Sequence, residues 1–327
     1  MISIWKWRNC GWNKKVMTEI IDSQLSAKTV AETIKEITRY HLLHNNGMVL
    51  GQALGAVGWV NNTVPNCQGI YELPMTDVAG AGIAVGAALV GRRPIFVIRF
   101  QDFLILNGSP LIFYAAKTKE LHGKSAPIFI RAIAAEGMGP VHSGVLHSIF
   151  MHFPGFRVVS PMTPKEYEDI WKDFMTHDDP MMVSEHRISY SNNQEMENVI
   201  LKNADITLYP ISSARFEVGN VVDMLKNDGI RCNIVHIVWL KPFLISEQII
   251  EPLIQSRKGI VIDSGYEIAG ASQSIAYELN HITGCKVNAL GLYDNTKCLC
   301  NYRQNRTPDA NRIYESIRDM LKIDFRT

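Results

Sequence analysis

Four stretches of this sequence set polar side chains directly after short apolar runs. Met48-Val49-Leu50 leads into Gly51-Gln52, and Leu73-Pro74-Met75-Thr76 into Asp77. Pro94-Ile95-Phe96-Val97-Ile98 leads into Arg99 to Asp102 and then Phe103, and Gly139-Pro140-Val141 into His142-Ser143. In a doubly wound sheet, ligands bind beyond the carboxyl ends of the strands, so these residues are the first to weigh. Asp77 offers a carboxylate that can accept a hydrogen bond from a ligand; the plain alternative is a helix N-cap. His142 offers a ring that exchanges protons near neutral pH. Phe103 offers a flat apolar face or an ordinary core contact. His147 and His152 follow His142 at local helical spacing and read as surface or packing residues.

Generic motifs are missing. The sequence holds no GxxxxGK[ST], no GxSxG, no HExxH and no paired CxxC. Gly80, Gly82 and Gly86 have the spacing GxGxxxG inside a small-residue helix, which fits close helix packing and not phosphate binding. Of the six cysteines only Cys298 and Cys300 are near neighbours, and no zinc spacing is present. Reduced thiols are the better reading, and no metal ligand set is expected in this chain.

The elements that must position these residues alternate. Ser26 is expected to cap a helix carrying Val30, Ile34 and Ile37, ending near Asn45-Asn46-Gly47. Asp77 opens the helix VAGAGIAVGAALVG. Strands are expected at 94–98, 126–130, 156–159 and 181–183, with Pro164 as the first residue of a helix. Short apolar runs separated by helices indicate parallel strands covered on both faces. The polar run SNNQEMEN reads as a linker, after which the alternation restarts with ITLYPI, CNIVHIVWL, GIVIDS and VNALGL and ends on a helix near 309–322.

At roughly 150 residues per domain, 327 residues indicate two. The expected organisation is an N-terminal extension over 1–24, a first domain over 25–190, a linker over 191–200 and a second domain over 201–327. The fold class is α/β: two consecutive doubly wound domains with mainly parallel sheets. A formal net charge of +1 gives no electrostatic case for nucleic acid or an anionic membrane. No apolar run is long enough to span a bilayer. The basic, aromatic N-terminus lacks the apolar core of a secretory signal. The expected location is the cytoplasm, or an organelle matrix in a eukaryote.

The stretch GIYELPMTDVAGAGIAVGAALVGRRPIFVIRFQDF, with YAAK, GPVHSG and HFPGFRVVSPMTP in that order, resembles the β subunit of the thiamine-diphosphate-dependent component of 2-oxoacid dehydrogenase complexes. WLKP and VIDSGYEIAGAS extend the likeness to a transketolase-type C-terminal domain, so that it covers about residues 25–322. The resemblance implies a transketolase-like pyrimidine-binding domain followed by that C-terminal domain. It implies that Asp77 holds the aminopyrimidine of thiamine diphosphate and activates the ring, that Phe103 packs on that ring, and that His142 handles protons during acyl transfer. Gln52 and Met75 are the flanking cofactor contacts it implies. No GDG occurs in the chain. The resemblance therefore assigns diphosphate and Mg²⁺ to a separate α subunit, in an α2β2 heterotetramer with β–β contact and a lipoyl acyltransferase as a further partner.

Departures from the family pattern are specific. Asp77 stands where Glu is usual, one methylene short. Ser109-Pro110 replaces an Asp-Gln pair, Gly144 replaces Gln, His147 replaces Glu, and Gln52 replaces an acid. Thr176 to Pro180 reads as a surface turn where some members hold a cation. The expected function is decarboxylation of a 2-oxo acid with transfer of the acyl or aldehyde fragment. The alternatives are a C–C ligating, acyloin- or transketolase-type enzyme and a catalytically silent supporting subunit.

Overall fold

The computed structural model of the chain describes residues 28–139, 141–294 and 306–322. The first sheet is built on β1 (Met48–Gln52), β2 (Ile70–Leu73), β3 (Pro94–Ile98), β4 (Phe129–Ala134), β5 (Arg157–Val159) and β6 (Met181–His186). They lie side by side in the order β2-β1-β3-β4-β6-β5, all parallel. Every residue of β3, β4 and β6 is buried, which is why these strands read as continuous apolar runs and not as alternation. The second sheet comprises β7 (Ile206–Pro210), β8 (Cys232–Ile234), β10 (Lys258–Tyr266) and β11 (Lys286–Leu292), ordered β11-β10-β7-β8 and again parallel.

The intervening β9 (Trp239–Lys241) is the correction to the sequence reading. CNIVHIVWL was expected as one strand, but its last part leaves the second sheet and pairs antiparallel with β5 at the edge of the first. A chain segment of the second half thus completes the first sheet. The expected strand at 126–130 begins later, at Phe129. The first helix, α1 (Val30–His44), is capped by Thr29, not Ser26, which lies outside the described residues. Thr29 accepts from the Glu32 N–H while the Glu32 carboxylate accepts from the Thr29 N–H, a reciprocal capping box.

The remaining main helices are α2 (Asp77–Leu89), α3 (Leu104–Pro110), the one-turn α4 (His147–Met151), α5 (Pro164–Thr176), α6 (Ala214–Asn227), α7 (Glu247–Ser256), α8 (Ala271–Thr283) and α9 (Ala310–Lys322). One apolar cluster runs through both halves, joining Phe96 and Ile130 of the first sheet to Tyr209, Val261 and Ile275 of the second half. Burial of such side chains contributes about 1.5–3 kcal/mol each. Polar links reinforce the seam: Arg215 of α6 grips Glu166 of α5 with two bonds, and Thr307 bonds Glu136. Cys232 and Cys285 are buried free thiols and Cys67 is half-buried; Cys10, Cys298 and Cys300 lie outside the described residues. Among the described residues no helix is long and apolar enough to cross a membrane.

Candidate active site

Asp77 is the first residue of α2, not its cap; the cap position is Thr76, whose side chain makes no cap bond. The Asp77 side chain instead turns toward α3. Asn107 Nδ2 donates to Asp77 Oδ1 at 2.9 Å and to the Phe103 carbonyl at 2.9 Å. Asn107 is buried, so this bond fixes one carboxylate oxygen; the other has no protein donor among the described residues. A half-buried carboxylate held on one side only can accept a hydrogen bond on the other.

Phe103 and His142 come together. Their rings stand 5.6 Å apart edge to face, and Phe100 packs against His142 at 4.5 Å. Three devices hold the His142 loop. Ser143 Oγ donates to the Gly139 carbonyl and accepts from the Met138 N–H. Asp102 Oδ2 accepts from the Gly144 N–H at 2.9 Å. The buried Gln101 accepts from the Leu146 N–H and donates to the Ala132 carbonyl and Ser184 Oγ. A Cβ at Gly144 would sit 2.8 Å from Asp102 Oδ1, so glycine at this position leaves room for the carboxylate that anchors the loop.

Behind the loop, His147 is fully buried, with Nδ1 3.0 Å from Ser184 Oγ and Nε2 2.8 Å from Asp263 Oδ2. With Nε2 donating to the carboxylate, Nδ1 is left to accept from Ser184. The chain Gln101–Ser184–His147–Asp263 therefore runs from the candidate site into the second half of the molecule. His152 is exposed.

Gln52 ends β1 opposite Leu73 of β2, and its side chain makes no hydrogen bond among the described residues. Met75 is 82 % exposed in the turn before α2. The structure thus joins Phe103 to His142 directly and Asp77 to Phe103 through Asn107, and leaves Gln52 and Met75 on the rim. Asp178 and Asp179, in the turn read as a surface turn, pair with Arg93 and Lys119. Sequence reasoning missed Asn107 and Asp263, and gave Phe100, inside the stretch from Arg99 to Asp102, no role of its own. Asp263 stood in a quoted family segment, but nothing local marks a partner 116 positions from His147. A cleft of about 590 Å³ lies elsewhere, between the halves, and is lined by Leu146, Ile149, Phe153, Tyr266 and Ile268 among others; none of the five expected site residues borders it.

The parallel sheets, with these residues beyond the strand ends of the first, define a doubly wound α/β protein. Residues 48–192 match the transketolase, pyrimidine-binding domain family. A chain titled a split gene transketolase, inactive beta4 tetramer, superposes with a TM-score of 0.71 at 16 % identity, covering 90 % of this chain and 99 % of that one. The transketolase of Campylobacter jejuni gives 0.68 at 16 % identity, covering 94 % of this chain and 50 % of that one. Among curated relatives, the pyruvate dehydrogenase E1 component subunit beta of Rickettsia felis is 26 % identical over 222 residues, 63 % of this chain and 68 % of that one. The 2-oxoisovalerate dehydrogenase subunit beta of Bacillus subtilis is 28 % identical over 242 residues, 65 % and 72 % respectively. The acetoin:2,6-dichlorophenolindophenol oxidoreductase subunit beta of Cupriavidus necator is 26 % identical over 209 residues, 59 % and 62 %. Residues 48–192 thus match a transketolase pyrimidine-binding domain, and the chain is similar, at 26–28 % identity, to beta subunits of pyruvate and 2-oxoisovalerate dehydrogenases.

Proposed function

We propose that the chain is the β subunit of a thiamine-diphosphate-dependent enzyme that decarboxylates a 2-oxo acid and passes on the acyl or aldehyde fragment. It works with an α subunit that holds diphosphate and Mg²⁺, in an α2β2 assembly. The observation that carries this reading is the Asp77 carboxylate, pinned on one oxygen by buried Asn107 and open on the other, next to the Phe103–His142 pair. Those residues fit an aminopyrimidine: Asp77 to bond its ring nitrogen, Phe103 to pack on its face. When bound, thiamine diphosphate supplies the carbanion that attacks the oxo group and stores the electrons released with CO₂. This chain's part is to hold the ring through Asp77, exclude water with Phe100 and Phe103, and move a proton at a ring nitrogen of His142. The Asn107 bond draws Asp77 toward α3, which is how a carboxylate one methylene short of Glu is kept in a defined position.

A further feature supports a partner. The outer face of α2 leaves Val78, Ile83 and Leu89 exposed, beside Ile105 and Leu106 of α3, while Ala81, Ala84 and Ala88 pack inward. Contiguous exposed apolar surface of this kind marks an interaction site.

The test is calorimetric titration of thiamine diphosphate and Mg²⁺ into the chain co-expressed with its diphosphate-binding partner, with turnover of 2-oxo acids measured alongside. Asp77→Ala is expected to lower turnover by at least about 10²-fold, and Asp77→Glu to retain part of it. Turnover indifferent to Asp77→Ala would overturn the reading and leave a supporting subunit.

A further inference from the structure

Several arginines of this structure are neutralised: Arg93 pairs with Asp178, Arg131 with Glu185, Arg157 with Asp173 and Arg215 with Glu166. Like Arg92, the pair Arg99 and Arg187 has no such partner. Both are half-buried, and among the described residues neither makes an ion pair. Arg99 follows β3 and Arg187 follows β6, so both stand at the carboxyl ends of their strands. Arg187 Nη2 donates to the Arg99 carbonyl, and Arg99 Nη1 donates to the Ala53 carbonyl beyond β1. The Nε–H of each is buried without an acceptor. Both guanidinium groups face one ring: Arg187 Cζ lies 4.4 Å and Arg99 Cζ 5.9 Å from the centroid of Phe100. That same ring packs 4.5 Å from His142.

Two uncompensated cations gathered on one aromatic platform repel each other and bear a desolvation cost. Burial, opposed by Tyr190 and with Arg99's charge adding to it, holds the Arg187 guanidinium below its ordinary range. A buried donor without an acceptor calls for an absent anion or water. The position at the strand ends beside His142 says where that anion would come from.

We propose that Arg99 and Arg187 form an anion subsite beside His142 that selects 2-oxo acids bearing a second negative group, a carboxylate or a phosphate ester, at the end remote from the reacting carbonyl. The assignment rests on the 2-oxo-acid reading above and narrows it to a substrate class. Charge-assisted hydrogen bonds from guanidinium to an oxyanion are the strong ones, and Arg suits planar, two-pronged recognition of carboxylate and phosphate.

The experiment uses the assembled enzyme. Turnover is compared for 2-oxobutyrate and 2-oxopentanoate, whose tails are neutral, and for 2-oxoglutarate, 2-oxoadipate and a 2-oxo acid ending in a phosphate ester. The preference ratio in kcat/KM, acidic tail over neutral tail, is expected to exceed one and to fall about 10- to 100-fold in Arg99→Gln and in Arg187→Gln, mainly through KM. Arg99→Lys and Arg187→Lys should recover part of it, and inorganic phosphate should compete with the acidic-tailed substrates. The carboxylate and phosphate arms decide between the two sources of charge. A wild-type preference for neutral tails overturns the proposal, as does a ratio that neither variant moves. Weakened assembly with an unmoved ratio also overturns it, because the counter-ion then belongs to the partner subunit. If no 2-oxo acid is turned over at all, the functional reading fails separately. Calorimetry with glutarate against butyrate then decides the subsite alone: glutarate binding lost in Arg99→Gln upholds it, and no binding by wild type sinks it.

Discussion

His147 and Asp263 show how much a single buried contact can matter in this molecule. Both side chains are fully shielded from solvent, and Asp263 Oδ1 already has no partner. Removing the imidazole would strand the second carboxylate oxygen and Ser184 together, since neither can reach water. His147→Leu is therefore expected to cost about 1–3 kcal/mol or more, because an orphaned buried acceptor bears its full desolvation cost. Urea unfolding of His147→Leu, Asp263→Asn and the double variant measures it. A coupling energy near zero in that cycle would mean that the two groups are held independently. Asp77, Phe103 and His142 were legible as candidates because each follows an apolar run or stands in a recognisable motif. Asn107 and Asp263 were not. Their roles come from folding: Asn107 meets Asp77 only once α3 lies against α2, and Asp263 meets His147 only across the two halves.

At the scale of elements, local sequence rules decide some boundaries and tertiary pairing decides others. The start of α1 is a local matter. Thr29 and Glu32 satisfy each other's orphan donors, so Thr29→Ala should cost about 1 kcal/mol by urea unfolding, with activity per folded molecule unchanged. The path of residues 232–241 is not local. The run has apolar character throughout, yet Val159 and Val158 of β5 offer an open edge that captures Trp239 and Lys241, and Lys241 Nζ closes on the Met151 and Phe153 carbonyls after α4. No periodicity in the sequence announces that edge. The His142 loop depends on an equally specific fit. Gly144→Ala would push a methyl group into Asp102, and overpacking of this kind costs about 1–3 kcal/mol. Because Asp102 anchors the loop through the Gly144 N–H, the variant should lose turnover well beyond its loss of stability. Unaltered kcat in a folded Gly144→Ala enzyme would show that the loop position is unimportant.

The whole molecule shares one acid-sensitive feature. Three histidines from different regions are held neutral by desolvation. Desolvation pushes the ring of His41 in α1 down to about 4, and that of His186 at the end of β6 to about 4. His236, half-buried and facing Arg215, is pushed to about 3. In the unfolded chain each would titrate near 6.5. Above that pH neither state binds these protons and the stability is fully present. Below it the unfolded chain takes them up while the folded one does not, so stability falls with pH until about 4, where the folded rings begin to protonate. At pH 5 these three rings alone imply an uptake of about two to three protons on unfolding, at up to about 1.4 kcal/mol per proton and pH unit. Because the apolar cluster, β9 and the Arg215–Glu166 pair join the two halves, the loss should appear as one transition and not as the release of one half. Urea midpoints at pH 7, 6 and 5, followed by fluorescence and by circular dichroism, measure both points. A His236→Gln variant should lower the slope by about one proton, since it removes a single ring from the set. Two separated transitions at pH 5 would mean that the seam at Arg215 and His236 fails before either sheet does, and that the halves are held together by that seam and not by their common core.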